Sequence, residues 1–377
     1  MEIVVDGIVF ESQAKGGVSR IYAEILPRMC ELSNDVRFIL LTAGAIKQPL
    51  PSHSRIHHVA RPGIQRLLQG RWLANWKSDL RGLILSNMPL RAPGKAIWHS
   101  TYYTLPHRWQ GLNLLTVPDI IYELFPQIFT HPLDEHFRTY KRTCIEQADA
   151  IICISQSAAN DLRAYYNPIG DKPIYVVPLA CSDGFHQIED VSACYLSPSE
   201  KSFLLYVGGR HHYKNFDQLL KAYSVWKMKP VIDLVVVGEP WNRSELHLIK
   251  DLHLDGNIHL RTAVTDGELC YLYNLALALV YPSLYEGFGL PLLEAMQCAC
   301  PIVASKIPSS VEVAGDCAVY FEPNILDDFV NALTTASNLG RHSKQVKSGL
   351  ERCRDFSWER CAKMTLDVYS DLLARSR

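Results

Sequence analysis

The stretch YPSLYEGFGLPLLEAMQCACPIVAS, residues 281–305, decides how the rest of the chain is read. The run before it, ALALVYPS, is short, apolar and without helical spacing at its C-terminal end, so it reads as a buried strand that stops at Pro282 and Ser283. A helix is expected to begin at Pro291, because proline lacks the N–H that a first helical turn leaves unbonded, and Leu292, Leu293 and Met296 then supply an apolar face. Gly287 and Gly289 let backbone N–H groups approach a ligand closely, beside the positive end of that helix, where negatively charged oxygens are favoured. Two carboxylates, Glu286 and Glu294, flank this turn, and Glu294 is expected in or near the first helical turn. Taken singly, each has an ordinary explanation: Glu294 complements its own helix dipole, worth roughly 0.3–1 kcal/mol, and Glu286 is a solvated loop residue. The whole string is harder to assign to structure alone.

The surrounding chain sets the class. At 377 residues it accommodates two domains of ordinary size, each with its own core. With 48% hydrophobic and 20% charged residues it has a globular composition, and a net charge of -1 gives no general attraction to nucleic acid or to an anionic membrane. The 11 cysteines are scattered without metal-ligand spacing, so neither a disulfide framework nor a zinc site is indicated, and Cys298 and Cys300 read as small buried residues. The N-terminal MEIVVDGIVF has no basic leader and no long apolar core, and no window reaches about 18 apolar residues. A reduced, cytoplasmic protein is expected.

Short apolar runs alternate with amphipathic stretches: IVVD at 3–6, VRFILL at 36–41, NLLTV at 113–117, AIICIS at 150–155 and IYVVP at 174–178. The pattern then repeats with SFLLYVGG at 202–209, IDLVVVGE at 232–239, LALVYPS at 277–283, PIVAS at 301–305 and AVYFEP at 318–323. Such alternation predicts parallel sheets with crossover helices, in two Rossmann-like α/β halves. The polar, aperiodic residues 179–201 suit a linker, which gives an N-terminal domain 1–190 and a C-terminal domain 191–356. A last helix lies within 356–373, with Ser357 as N-cap and Trp358, Cys361, Met364 and Leu366 among its apolar positions.

Other segments carry chemistry in loops after strands. In GGRHHYKNFDQLLKAY, 208–223, Gly208 and Gly209 open a turn, Arg210 and Lys214 add two cations, and Asn215 and Gln218 are placed to cap the next helix reciprocally. A diphosphate needs such a place, with a forked donor from Arg and a point charge from Lys; each cation alone is by default a surface charge. In ESQAKGGVSRIYAEIL, Gly16 and Gly17 join the first strand to the first helix, either as an ordinary turn or as an anion-binding nest, with Arg20 adding charge. IWHSTYYTLP, 97–106, places His99, Ser100, Thr101, Tyr102 and Tyr103 just past a short strand, and TVPDIIYELFP, 116–126, places Asp119, Tyr122 and Glu123 past another.

The string from Glu286 to Glu294 resembles the E-x7-E signature of retaining GT-B glycosyltransferases, most closely those of family 4. That resemblance implies a GT-B fold, two Rossmann-like domains facing across a central cleft, with the last helix, 357–377, crossing back to the first domain. It implies that Glu286 contacts the donor sugar, that Glu294 holds the nucleotide ribose, and that Gly287, Phe288, Gly289 and Leu290 belong to the donor site. Gly16, Gly17, Gly209, Arg210 and Lys214 fall to the donor phosphates, although family members often separate the Arg and Lys by more than four residues. The segment NIHLRTAVTDGELCYLYNLA, 257–276, resembles the part that packs on the base, with backbone groups near Thr262, Ala263 and Val264 reading its edge. Many members carry a histidine directly before the loop aspartate, where this chain has Pro118. His99 stands either as its replacement or as a structural histidine, and Asp119 as a contact to the acceptor hydroxyl. Glu312 matches a recurrent family acid and serves equally well as a helix-surface residue.

Residues 61–95 hold Arg61, Arg66, Arg71, Lys77, Arg81, Arg91 and Lys95 against Asp79, interleaved with Trp72, Trp76 and leucines. They suit a peripheral membrane contact at the inner face or a lipid-diphosphate acceptor, and equally a packed helix with a solvated basic face. The resulting expectation is a retaining, metal-independent hexosyltransferase of polysaccharide biosynthesis, without cofactor and without nucleic-acid partner. It would use a nucleotide diphosphate sugar as co-substrate and a glycan or lipid-linked oligosaccharide as acceptor. Arg210, Lys214, Glu286, His99 and Asp119 form the expected catalytic set. UDP-glucose is the first choice of donor and GDP-mannose the second. A nucleotide-sugar epimerase and a non-catalytic sugar-nucleotide-binding subunit are the alternatives.

Overall fold

The computed structural model describes residues 1–12, 17–60, 96–106, 109–167, 169–189 and 201–375. Gly16 and the basic segment 61–95 lie outside these residues. The chain divides into two compact units, one of residues 1–179 with 358–377 and one of residues 180–357.

Unit 1 is built on seven parallel strands: β1 (Glu2–Asp6), β2 (Arg37–Thr42), β3 (Ile56–Ala60), β4 (Ile97–Ser100), β5 (Leu112–Val117), β6 (Ala150–Cys153) and β7 (Ile174–Val176). Their order in the sheet is β3-β2-β1-β4-β5-β6-β7. β1 pairs on one side with β2, Val4 opposite Ile39, and on the other with β4, Val4 opposite Trp98. The winding therefore reverses between β1 and β4. The helix Gly17–Leu32 turns Ile21, Tyr22, Ile25, Leu26 and Met29 inward, a 3.6-residue repeat that tolerates Pro27 within it. Against it packs the C-terminal helix Trp358–Arg375, whose buried face includes Trp358, Cys361, Leu366, Tyr369 and Leu372. That helix is part of unit 1, and Tyr175 of β7 donates a hydrogen bond to its Asp371.

Unit 2 carries six parallel strands: β8 (Ser202–Val207), β9 (Ile232–Val237), β10 (Ile258–Arg261), β11 (Ala278–Tyr281), β12 (Ile302–Ser305) and β13 (Val319–Phe321), in the order β10-β9-β8-β11-β12-β13. Here the winding reverses between β8 and β11, which pair at Leu204 with Ala278 and at Leu205 with Leu279. In open α/β sheets the loops beyond the carboxyl ends of such a strand pair splay apart and form the ligand crevice. The core beneath is formed by Leu204, Tyr206, Phe216, Leu219, Leu234, Val236, Val280 and Phe329, with Phe321 and Phe329 stacked 3.8 Å apart.

The units divide at residue 179, eleven residues before the boundary at 190 read from composition. The reason is packing. Phe185 is fully buried with its ring 6.0 Å from that of Tyr273, and Asn274 accepts from the Ile188 N–H and donates to the His186 carbonyl. The polar segment after residue 179 is thereby tied into unit 2. Two strands, β3 and β10, are absent from the sequence reading. Both lie at sheet edges, where a half-exposed strand such as IHHVA or IHLR needs no continuous apolar run.

Candidate active site

The site is assembled from the loops after β8 and β11. After β8 the chain turns through Gly208 at φ +128, a conformation that L side chains rarely adopt, with open space where a Cβ would stand. A single 3-10 turn, His212–Lys214, follows, and Asn215 at φ 55 leads into the helix Phe216–Val225. The reciprocal cap by Asn215 and Gln218 does not form. The left-handed backbone at Asn215 turns its amide away, toward the Pro323 carbonyl at 3.4 Å. After β11 the chain runs through Pro282 and Ser283 to Gly289 at φ +131, which precedes the helix Leu290–Gln297, one residue ahead of the expected start. The two loops are stitched by the Leu284 N–H, which donates to the Tyr213 carbonyl at 2.7 Å.

This stitching brings two expected site residues together. Lys214 Nζ donates to Glu286 Oε1 at 2.6 Å, and Ser283 Oγ donates to the same oxygen at 2.6 Å. The side chains of Lys214 and Glu286 retain 22% and 13% of their exposure, so the pair is shielded yet reachable. The Tyr281 hydroxyl also bonds Glu286; burial first, and the neighbouring carboxylate second, hold it firmly protonated. The charge of Glu286 is thus balanced by a cation and two hydroxyl groups, which fixes its orientation.

Glu294 lies beyond the first turn of its helix and is buried, so it is neither a helix-dipole partner nor a surface charge. Tyr273 Oη donates to Glu294 Oε2 at 2.9 Å, and burial together with this carboxylate raises the tyrosine's pKa well above its ordinary value. Tyr273 belongs to the helix Asp266–Leu275, whose residues Glu268, Tyr271 and Leu272 line a cavity of about 140 Å³ with Arg261, Thr262 and Val264. The expected base-reading residues Thr262 and Val264 therefore face a pocket, and Ala263 between them has φ 55. The sequence reading missed Arg261, Glu268, Tyr271 and Leu272. The i, i+3, i+4 spacing of the last three placed them on one helix face.

Arg210 is paired within unit 2. Its Nε donates to Glu245 Oε1 at 2.8 Å and its Nη2 to Glu245 Oε2 at 3.1 Å, with further bonds from Nη2 to the Glu239 and Pro240 carbonyls. The guanidinium lies 4.6 Å from the Trp241 ring centroid and its side chain is 5% exposed. Glu245 is in turn held at the start of the helix Arg243–Asp251 by a capping box with Asn242. A fork-to-fork pair with a fixed carboxylate holds Arg210 against the loop after β9, while its Nη1 is buried without a hydrogen-bond partner among the described residues. The Gly209 carbonyl accepts from Tyr206 Oη at 2.5 Å.

In unit 1 His99 is corrected. It lies within β4, not past it, and is 1% exposed. One ring nitrogen bonds Tyr369 Oη at 2.7 Å and the other Thr116 Oγ1 at 2.9 Å, and burial alone lowers its pKa to about 3. A neutral histidine joining β4, β5 and the C-terminal helix is a core residue and cannot take the place of the histidine that Pro118 displaces. Glu123 is likewise internal: it pairs with Lys141 at 2.9 Å, both side chains 1% exposed, and accepts from Tyr166 Oη at 2.6 Å. Asp119 remains half-buried at the start of the short helix Ile121–Leu124, its Oδ1 accepting from the Ile121 N–H at 3.1 Å and its carbonyl from Lys141 Nζ at 2.8 Å. Gly17 opens the helix Gly17–Leu32, and Glu312 lies half-exposed on the helix Pro308–Ala314. Phe288 packs edge-on to Phe356, centroids 5.9 Å apart, which makes it a support for the glycine turn. Among the described residues no three His, Cys, Asp or Glu side chains gather as a metal-binding cluster, and no helix is long and apolar enough to cross a membrane.

Residues 187–349, which include Lys214, Glu286 and Glu294, match the family model "Glycosyl transferases group 1". The O-antigen chain mannosyltransferase B of Escherichia coli is 31% identical over 286 residues, which is 72% of this chain and 74% of that protein. The chain belongs to the glycosyl transferases group 1 family. A serotype-specific mannosyltransferase WbdA of Escherichia coli is 30% identical over 261 residues, 65% of this chain and 32% of the longer relative. Among solved structures, the sucrose-phosphate synthase from Thermosynechococcus elongatus superimposes with a TM-score of 0.78 over 99% of each chain at 17% identity, a likeness of fold. The protein is a GT-B glycosyltransferase with two Rossmann-like α/β units, using a nucleotide-sugar donor and a glycan acceptor.

Proposed function

We propose that this glycosyltransferase moves mannose from GDP-mannose, with retention of anomeric configuration and without a metal, to a hydroxyl group of a growing polysaccharide. The observation that carries the reading is the Lys214–Glu286 pair at the reversal of the unit 2 sheet. UDP-glucose, the first choice from sequence, has no support, whereas the curated relatives cited above are mannosyltransferases.

In this reading Lys214 uses one of its three N–H donors on Glu286 and offers the others to the diphosphate, where charge develops as the sugar leaves. Backbone amides near Gly208 and Gly287 assist. The acceptor oxygen attacks C1 from the side of the departing diphosphate and passes its proton to a leaving phosphate oxygen. Glu286 orients the mannose hydroxyls and Glu294 the ribose. Neither acts as a covalent nucleophile.

Nucleotide release from GDP-mannose, UDP-glucose and GDP-glucose, measured with and without mannan oligosaccharides, tests the proposal. Acceptor-dependent release of GDP from GDP-mannose is the expected result. Turnover of UDP-glucose in its place, or conversion of a donor to an isomer without acceptor, would overturn it.

A further inference from the structure

The cavity beside the helix Asp266–Leu275 carries opposite charges on its wall, from Arg261 at the end of β10 and Glu268 on the helix. The geometry points to these two residues as the readers of a guanine base, an inference that rests on the donor-site reading above.

Three features support it. The first is position: the cavity of about 140 Å³ is lined by Tyr271 and Leu272 from the same helix that sends Tyr273 to Glu294, so the helix beside the pocket also holds the ribose carboxylate by a hydrogen bond. The second is fixation. Glu268 Oε2 accepts from the Thr265 N–H at 2.7 Å and from Thr265 Oγ1 at 2.8 Å, while the Glu268 N–H donates back to Thr265 Oγ1 at 3.2 Å. This capping box holds the carboxylate in one orientation. The backbone of Arg261 is fixed as well, paired with Val237 in the sheet and accepting from the Gly238 N–H at 3.1 Å.

The third is chemical complementarity. Guanine presents an acceptor pair, O6 and N7, which the forked guanidinium of Arg matches, and on another edge a donor pair, N1–H and the 2-amino group, which a carboxylate accepts. Uracil offers a carboxylate one N–H flanked by two carbonyl oxygens, which repel it. Adenine sets an amino group beside N7, which clashes with the donors of an Arg fork. A wall holding one guanidinium and one carboxylate therefore favours guanine over both, and Val264, Tyr271 and Leu272 supply apolar surface for the ring. The capping box has no use for Arg261.

The test is calorimetric titration of the full chain with GDP, UDP and ADP, for the wild type, Glu268→Gln and Arg261→Met. Glutamine also completes a capping box, so Glu268→Gln is expected to fold, and an unchanged melting temperature checks this. The wild type is expected to bind GDP about 100-fold more tightly than UDP or ADP, and each variant to lose about 10-fold in GDP affinity with less than about 2-fold change for UDP, in line with bidentate base contacts. Equal binding of GDP and UDP by the wild type, or an unchanged GDP-to-UDP ratio in both variants, overturns guanine reading and leaves the donor site standing. Failure of all three nucleotides to bind overturns the donor site together with the inference.

Discussion

Lys214 Nζ and Glu286 Oε1 stand 2.6 Å apart although 72 residues separate them in sequence. The contact exists because each residue follows one of the two strands between which the unit 2 sheet reverses, and the Leu284 N–H ties the two loops together. A carboxylate placed this way neutralises Lys214 and holds it at the carboxyl end of the sheet.

Lys214→Met is expected to lower kcat/KM for GDP-mannose by about 100- to 1000-fold, the scale for removing a preorganised charge from a developing anion. Glu286→Gln keeps the hydrogen-bonding shape and loses the charge. It should lower kcat by at least about 10-fold while leaving the affinity for GDP, which carries no sugar, within about 3-fold. Steady-state kinetics and GDP titration measure both, and equal loss of GDP affinity in the two variants would contradict their separate roles.

Tyr273→Phe removes the hydroxyl that holds Glu294 and leaves a buried carboxylate oxygen without this donor. GDP affinity should fall about 5- to 10-fold with a smaller change in kcat, and Glu294→Ala should exceed it, since hydrogen bonds to charged groups are worth about 1.5–3 kcal/mol. Isothermal titration with GDP reads the difference.

For Arg210 the expected loss is in stability. Arg210→Ala strands the buried Glu245 carboxylate, and breaking a buried pair in this way costs about 3–5 kcal/mol. The double variant Arg210→Met with Glu245→Leu should recover a large part of it, because no charge is then left unpaired. Urea unfolding of the three proteins measures this, and the KM for donor in the double variant should stay far closer to wild type than that of Lys214→Met.

His99 makes unit 1 sensitive to acid. Its folded pKa is about 3 against an ordinary value of 6.5, so between these values the unfolded chain binds a proton that the folded chain does not. Stability contributed by neutral His99 is complete above about pH 7 and declines as pH falls through 6.5 toward 3, by at most about 1.4 kcal/mol per pH unit. The melting temperature of the wild type should therefore fall more steeply between pH 7 and pH 4 than that of His99→Gln, as calorimetric scans would show.

The parallel α/β architecture was legible because central strands of such sheets are continuous apolar runs, and AIICIS and IDLVVVGE have that form. The edge strands β3 and β10 were not, since IHHVA and IHLR are half-exposed. Lys214, Glu286, Thr262 and Val264 each follow a strand at its carboxyl end, a placement legible in the local sequence. Arg210 meets the same criterion and nevertheless turns to Glu245. That partner lies 35 residues away on another helix, and no local pattern distinguishes a cation that meets a ligand from one that meets a buried carboxylate. His99 failed for a related reason: one residue of strand length separates a loop position from the core, and its partner Tyr369 lies 270 residues further along the chain.

Mannosyl transfer with retention is tested most directly by following GDP-mannose labelled with carbon-13 at C1, in the presence of mannan oligosaccharides, by proton–carbon NMR. The account predicts an α-mannoside appearing as GDP is released, and both signals growing about 100- to 1000-fold more slowly with Lys214→Met. A β-mannoside, or an inert GDP-mannose alongside consumption of UDP-glucose, would contradict it.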